Sequence, residues 1–559
     1  MSLTHAPRLQ RVPLPFYVVL LAILLRLMPA GRHHLVNPPS ILQSAPAETL
    51  NEPAALRATL AVGKPHLQLN QAAAFDVGSQ LATGVLPPSE ITVVGVRPGS
   101  SNQGPVVTRC YQVTAMLGRL ETNADGRSCV GSIADGPIQI EWPASAGATG
   151  YRVYRSASDS APSMIGYANG TSFRDSGAAG SNQRPPDRNL ALFIARVVAI
   201  EGLLLTLDHE ATFSAANAAI IPDDGPALQL QANIAIASHK PLMLAAMNYN
   251  LFTPVTFVPP AGAQSILGLT VAGAGPGNTT LTWRGPSNQS VLIFQGAKFG
   301  EISGFMIQGG AALADLDFVG HGSSGGMRLR NLLLVNPARF SFRAGNPSDL
   351  TQVSEMSFES VYSAGATAAG FQIEGPNNLN YNFYNCGCAG EPICVSNDPS
   401  IEPQPGALVG GNFNWYGGSV SGTPLGPGPG RRATFVLAGG VAYNFFGVRV
   451  ENSATLIATP FTSAPIQVNW VGGFFDNEMS TNDGSLIINY QAGGSFQSTK
   501  SSWGAQGSFY FGPSTRAAVF EDDLMRVASG RDGANPKFSD YFAAVPSSVP
   551  LRLYNTSGF

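Results

Sequence analysis

Two acidic residues hold matching places in similar short segments, Glu451 in "VRVENS" and Asp476 in "FFDNEM". Superposing the segments puts Glu451-Asn452 over Asp476-Asn477, a shift of 25 residues. Paired carboxyl groups are the machinery of glycoside hydrolysis, about 5 to 5.5 Å apart for retention and about 6.5 to 9.5 Å for inversion. Arg449 precedes Glu451 by two positions, so on a strand it shares that face and could pair with the acid or hold an acidic sugar. Glu374 stands before "GPNNLNYN", a loop-forming run able to line a groove. Trp415 and Tyr416, with Trp470 and Trp503 further on, supply rings on which sugars stack. The catalytic candidates are therefore Glu451, Asp476 and Glu374, and the substrate-binding candidates are Arg449, Trp415 and Tyr416. Each also has a plainer reading: acids at solvent-facing turns, and aromatic rings in a core.

Other acids carry less. Glu301, Glu355 and Glu359 lie in strand-like segments, and Asp315 and Asp317 form a close pair in "ALADLDFVGHG". Asp223 and Asp224 look like a pair too, but they open a helical stretch, where an aspartate caps free N–H groups. Cys386, Cys388 and Cys394 make C-x-C-x5-C, a poor zinc spacing with no histidine close by. Small buried residues, or one further disulfide with a thiol left over, account for them. Cys110 and Cys129 can pair in an oxidising compartment. No metal cluster, phosphate loop or serine triad stands out, and no cofactor is expected.

The elements that must position these groups are numerous and short. The chain has 559 residues, and only 12% are charged against a usual share of roughly 25%. Its 63 glycines and 42 prolines suit many turns between short strands. A net charge of -3 argues against a nucleic-acid partner, which wants a basic face. Arg8 and Arg11 precede "PLPFYVVLLAILL", an apolar run short of the ~20 residues of a membrane span. It reads as an export signal (residues 1–35), with a retained membrane anchor as the alternative, because no clean cleavage site follows. The expected location is secreted, cell-surface or periplasmic, or inner-membrane anchored if the segment is kept.

Residues 36–90 are polar and Pro/Ala-rich and read as a linker or irregular region. Residues 91–180 alternate in short strands around turns. Trp142, "AGATGYRVYRS" and "TSFRDSG" resemble a fibronectin type III-like β-sandwich. That likeness implies binding or spacing rather than catalysis, with Trp142 and Tyr151 in its core. Connecting strands are expected over 181–221. "DDGPALQLQANIAIASHK" follows and fits two periods. Leu228, Leu230, Ala232, Ile234 and Ile236 alternate as in a strand, whereas Ala227, Leu230, Ile234 and Ala237 share one face of a helix. The aspartates and Pro226 at its start, its Ala, Leu and Gln content, and Pro241 at its end favour helix.

This helix, then "PLMLAAMNYNL", then "VAGAGPGNTTLTW", resembles the opening of the pectate-lyase-like superfamily of right-handed parallel β-helices, which includes tailspikes and polygalacturonases. The resemblance implies an all-β fold in which the helix covers the open end of a solenoid, as terminal repeats require. Apolar segments then recur at about Phe305, Leu333, Phe358, Tyr384, Tyr416, Phe446 and Phe474, roughly 25 to 32 residues apart, within solenoid periods. Asn331, Asn380, Asn382, Asn385, Asn412, Asn414 and Asn444 accompany them, and stacked asparagines can bond along such an array. The array is expected over 222–525 and a trailing segment over 526–559. "GHGSSGG" and "MRLR" near His321 depart from the polygalacturonase order of motifs and read as a turn.

The fold so implied presents long faces to an extended polymer. An exported polysaccharide-engaging protein is expected, either a hydrolase or lyase or, as the alternative, a non-catalytic adhesin or exopolysaccharide-associated scaffold. Its partner would be a polysaccharide or cell-surface glycan. Tailspike-like members are often trimers, so the resemblance admits a homotrimer.

Overall fold

The computed structural model describes residues 56–72, 75–88, 90–94, 106–125, 127–133, 137–157, 161–318, 324–345, 352–375, 378–398, 411–421, 433–440, 442–451, 455–460, 465–476, 486–504, 508–526, 542 and 545–557. Strand dominates. The region read as an irregular linker instead contributes three strands, Arg57–Leu60, His66–Leu69 and Gln80–Gly84. They close into a six-stranded antiparallel barrel with Leu192–Glu201, Leu204–Leu207 and Ala215–Pro222, the segments read as connectors. "RATL" and "HLQL" bury alternate residues. Such four-residue alternation is lost in Ala/Pro-rich surroundings; the two strands pair with each other, but their outer partners lie more than a hundred residues on, as with Arg57 and Ala219 or Leu67 and Leu205.

Two antiparallel sheets sit between the barrel halves in sequence. Trp142 is buried and meets Tyr151 edge-on at 5.4 Å, so both rings are core. Cys110 and Cys129 face each other on paired strands and form a disulfide. Asp175 takes the Tyr111 hydroxyl and the Arg155 guanidinium, while Glu121 takes Thr114, Tyr154 and Arg152. These ion pairs pin the sheets from within.

Helix α1, Gly225–Ser238, follows. Asp223 accepts the Gly225 and Phe252 N–H groups, and Asp224 accepts that of Asn250 in the first coil. Asp223 thus holds the first N–H of the helix, and both aspartates fasten the helix start to the solenoid. His239 ends the helix in the left-handed region, where its N–H and that of Lys240 close the last turn. The buried face is Leu228, Ala232, Ala235 and Ile236, packed on Leu242, Leu251 and Val255 of the first coil. It is not the Ala227–Leu230–Ile234–Ala237 face.

Parallel coils then stack in register. A twenty-stranded sheet runs from Leu242–Met243 to Leu551–Tyr554, a ten-stranded sheet from Val255–Phe257 to Ser508–Phe511, and a four-stranded sheet flanks the early coils. Coil lengths vary: Tyr381 pairs with Phe413, Phe413 with Tyr443 and Tyr443 with Val468, steps of 32, 30 and 25 residues. A residue with positive φ recurs along the long sheet in successive coils, at Asn331, Ser360, Asn385, Gly417, Gly447, Gly472, Lys500 and Asp522, with Gly418 sharing it beside Gly417. Asn and Gly tolerate that conformation best. Beside this corner Gly418 is obligatory, since a Cβ there would lie 2.0 Å from the Cys386 carbonyl oxygen. The trailing segment adds its own strand, Leu551–Tyr554, to Ala517–Glu521 and buries Phe542 and Val549 in the common core.

The coils also enclose acids. Asp315 is fully buried with neither carboxyl oxygen bonded. Glu391 is buried, accepts the Ser363 hydroxyl, and has its pKa pushed up by burial to about 8. Its folded value lies above the ordinary 4.5, so folding favours the protonated form. The stability it contributes is complete below about 4.5 and is lost as pH rises through about 8. Glu391→Gln should therefore lessen the fall in Tm between pH 5 and pH 9, measured by circular dichroism melts alongside the parent. Equal pH dependence in the two proteins would contradict this assignment.

Candidate functional site

The strand Arg449–Glu451 lies against Phe474–Asp476, with Glu451 opposite Asp476. The register inferred from the two segments is the register in the fold. Val450 and Phe475 point into the core, while Arg449 and Glu451 on either side of Val450 face outward. Neighbouring strands are about 4.8 Å apart, which sets the spacing of the two acidic positions. Arg449 donates its Nε–H to Glu451 at 2.7 Å and a second N–H from Nη2 to the same oxygen. Its guanidinium also sits over the Phe474 ring, 5.5 Å from the centroid. Both members of the pair are solvent-accessible, Arg449 at 55% and Glu451 at 35%. Along the same columns the coil before carries Ser419 and Ser421, and the coil after carries Ser502 and Gly504. The charged group thus stands on a sheet of small, uncharged residues.

The other candidates fall elsewhere. Glu374 is buried beside the ten-stranded sheet, accepting a bond from Gln372 at 3.2 Å. It lines no open groove and is not brought to Glu451. Trp415 is wholly buried, stacked on Phe383 at 4.6 Å with its indole N–H on the Gly417 carbonyl. Trp470 and Trp503 are buried likewise. The sugar-stacking role assigned to these rings is therefore wrong. In "FNWY", Phe413 and Trp415 point inward and only Asn414 and Tyr416 face out. Tyr416 is exposed, but its ring lies parallel between Tyr384 at 5.0 Å and Phe446 at 5.1 Å. A sugar between two rings needs about 7 to 8 Å, twice a van der Waals contact. Tyr416 can offer a hydroxyl and an edge, not a face.

Beside this aromatic column runs an amide column: Asn414 donates to Asn382, Asn444 to Asn414 and Asn469 to Asn444. The expected asparagines thus serve two ends. Asn331, Asn380 and Asn385 take positive φ, while Asn382, Asn414 and Asn444 bond across coils. Sequence reasoning placed Tyr384, Tyr416 and Phe446 at the recurring position of successive coils but did not read them as one outward stack of rings. The repeated Asn-aromatic-aromatic signature in "NFY", "NWY" and "NFF" was the available signal.

A second exposed charged group joins Arg328 and Arg330 to Glu359 at 2.7 and 3.1 Å, with Glu301 3.6 Å from Arg330. Asp317 is committed to Arg343 and Ser290. Glu355 is exposed at a positive-φ position. His321 lies outside the described residues. Cys388 and Cys394 form a disulfide, leaving the buried Cys386 thiol. Among the described residues no group of three or more His, Cys, Asp or Glu is placed to hold a metal.

No protein-family model and no curated protein matches the chain. Among solved structures it is similar to the catalytic domain of a GH87 alpha-1,3-glucanase variant in complex with tetrasaccharides, at 11% identity and TM-score 0.35, covering 90% of this chain and 92% of the other. It is also similar to the catalytic unit of a thermostable GH87 alpha-1,3-glucanase from Streptomyces thermodiastaticus, at 11% identity and TM-score 0.27, covering 90% of each chain. The A-module of the Azotobacter vinelandii mannuronan C-5 epimerase AlgE4 matches at 12% identity and TM-score 0.26, covering 60% of this chain and 96% of the other. Likeness at this level assigns no residue a role. The parallel β-solenoid stands on this chain's own strand pairing.

The inward and outward parity of "FNWY" sets an order of stability effects. Trp415→Ala should cost about 3 to 5 kcal/mol, the range for a buried aromatic cut to Ala. Tyr416→Ala, on the outer column, should cost under half as much. Urea denaturation of both variants measures the order, and equal costs would refute it.

Proposed function

We propose that the protein is exported and engages a polysaccharide on the outer face of the long sheet, with Glu451 and Asp476 flanking a glycosidic bond. One observation carries this reading: two acids in register on neighbouring coils, beside an exposed arginine. The strand spacing of about 4.8 Å between the two positions is compatible with the roughly 5 to 5.5 Å between carboxyl groups that retaining hydrolases use. Arg449 is bonded to Glu451 and fixes the direction of that carboxyl group, which serves as the nucleophile or base, while Asp476 supplies the proton. In the lyase variant of this reading, Glu451 removes a proton beside a uronate that Arg449 holds. An arginine within bonding distance of the acid supports either chemistry.

A non-catalytic adhesin or scaffold is the second reading. It is favoured by the way the outer columns spend their groups on one another: amide on amide, ring on ring, and Arg449 on Glu451.

One assay separates them. The purified chain is incubated with neutral and acidic polysaccharides, following new reducing ends, the absorbance of unsaturated uronates, and retention on immobilised glycan. Under the catalytic reading Glu451→Gln and Asp476→Asn each lower turnover by about 10²-fold or more while retention persists. Retention without cleavage in the parent protein supports the scaffold, and Arg449→Ala should then weaken it. Neither cleavage nor retention with any glycan tested sinks both. Mass spectrometry of the exported protein's N-terminus decides between a cleaved signal and a retained anchor.

A further inference from the structure

We infer that Phe299 is a stacking platform for an uncharged sugar ring, at a site apart from Glu451 and Asp476. Phe299 stands at the corner where the chain passes from the four-stranded sheet, through Ala297–Lys298, into the long sheet at Glu301–Gln308. The pairing of Thr270, Glu301, Arg328, Ser357 and Asn382 aligns this corner across successive coils. Two positions before each of these stand Gly268, Phe299, Gly326, Glu355 and Asn380, all with positive φ. Glycine and asparagine take that backbone readily, whereas a bulky ring is strained there. The Phe299 N–H bonds to the Gly325 carbonyl, which holds it in place. Burial does not offset the strain. Phe299 is 70% exposed, and among the described residues no other ring packs on it. The residue thus weakens the fold twice, through its backbone and through apolar surface left in water. A side chain kept under those terms points to a ligand.

The surroundings define that ligand. The ring leans onto the next coil, where Gly326 has no side chain: a Cβ there would lie 2.6 Å and 2.9 Å from its Cδ1 and Cε1 atoms. The glycine lets the ring settle against the solenoid with most of its surface facing water. Lys298 precedes it, Arg328 follows Gly326 by two positions, and exposed Glu355 occupies the same corner one coil on. Each guanidinium has five N–H donors, and the ion pairs of Arg328 and Arg330 with Glu359 and Glu301 engage only part of them. A pyranose presents an apolar C–H face to an aromatic ring and hydroxyls at its edge to guanidinium and carboxylate groups. Here Lys298, Arg328 and Arg330 balance Glu301, Glu355 and Glu359 in charge. That balance favours an uncharged sugar over a uronate.

Affinity electrophoresis of the full chain tests this, through gels containing dextran, mannan or soluble starch, with polygalacturonate as the acidic comparison. Retardation by at least one neutral polymer is expected. Phe299→Asn should weaken that binding by about tenfold or more, and Phe299→Trp should keep it. Because asparagine accepts the left-handed backbone, Phe299→Asn should leave Tm unchanged or higher. Binding lost without stability lost is a result that a purely structural ring does not give, since a ring that only shields Gly326 would lower Tm when replaced and leave binding as it was. Should Phe299→Asn fail to fold, Phe299→Leu makes the same comparison, keeping apolar bulk without a flat face. Unchanged binding in the folded variant overturns the proposal. So does a parent chain retarded by none of the neutral polymers, or a Phe299-dependent retardation by polygalacturonate alone. The readout is binding, so it holds whether or not Glu451 and Asp476 cleave a glycan.

Discussion

In a parallel solenoid each coil's N–H and C=O groups are satisfied by the coils on either side. That dependence makes the interior coils cheap to repeat and the end coils expensive, since an end coil shows water both unpaired backbone and an open apolar stack. Both ends here are closed by chain of a different kind. At the front, α1 covers the stack and is tied down by Asp223 and Asp224, whose carboxylates take backbone N–H groups from the first coil as well as from the helix. At the rear, Leu551–Tyr554 adds a strand, while Phe542 and Val549 fill the core. Buried carboxylates cost free energy to desolvate, and burial raises the pKa of both aspartates. The backbone bonds they accept offset that cost.

In-register stacking also explains the surface. Identical positions of neighbouring coils sit about 4.8 Å apart, so a residue is tolerated on the outer face only if its type can live beside itself. Asparagine can, because each amide has a donor and an acceptor. Flat rings can, because they stack. Like charges cannot without a counter-ion. The outer columns obey this rule, with amides at 382, 414, 444 and 469 and rings at 384, 416 and 446. The low share of charged residues is thus a property of the architecture. At the Glu451–Asp476 register, two acidic positions do fall side by side.

The solenoid, its lid and the Glu451–Asp476 register were legible because each rests on local pattern: a capped helix, recurring apolar strands, and two segments that superpose. What escaped depended on which way a side chain points. The period of α1 was read correctly and its buried face was not, since a helix apolar on both sides carries no signal for which side meets the core. Trp415 was placed outside by residue type, although alternation from Phe413 already put it in. Glu374 was judged by the loop after it, and burial came from packing that no local pattern encodes. The barrel was missed because its first three strands are four or five residues long and close onto strands more than a hundred residues further on.

The acidic register and the positive-φ corner are connected. A left-handed residue turns the chain between two short strands, so that Phe446, Gly447 and Arg449 follow within four positions. The corner leaves little freedom in where Arg449 and Glu451 emerge, because their backbone is paired on both sides, to Ser419–Ser421 and to Phe474–Asp476. Acidic positions carried on a loop could drift apart. Held on paired strands, these two positions cannot, and the guanidinium of Arg449 supplies a counter-charge to Glu451. The two bonds from Arg449 to one oxygen of Glu451, with the aromatic ring of Phe474 beneath the cation, are what a rigid acidic register in a charge-poor sheet requires.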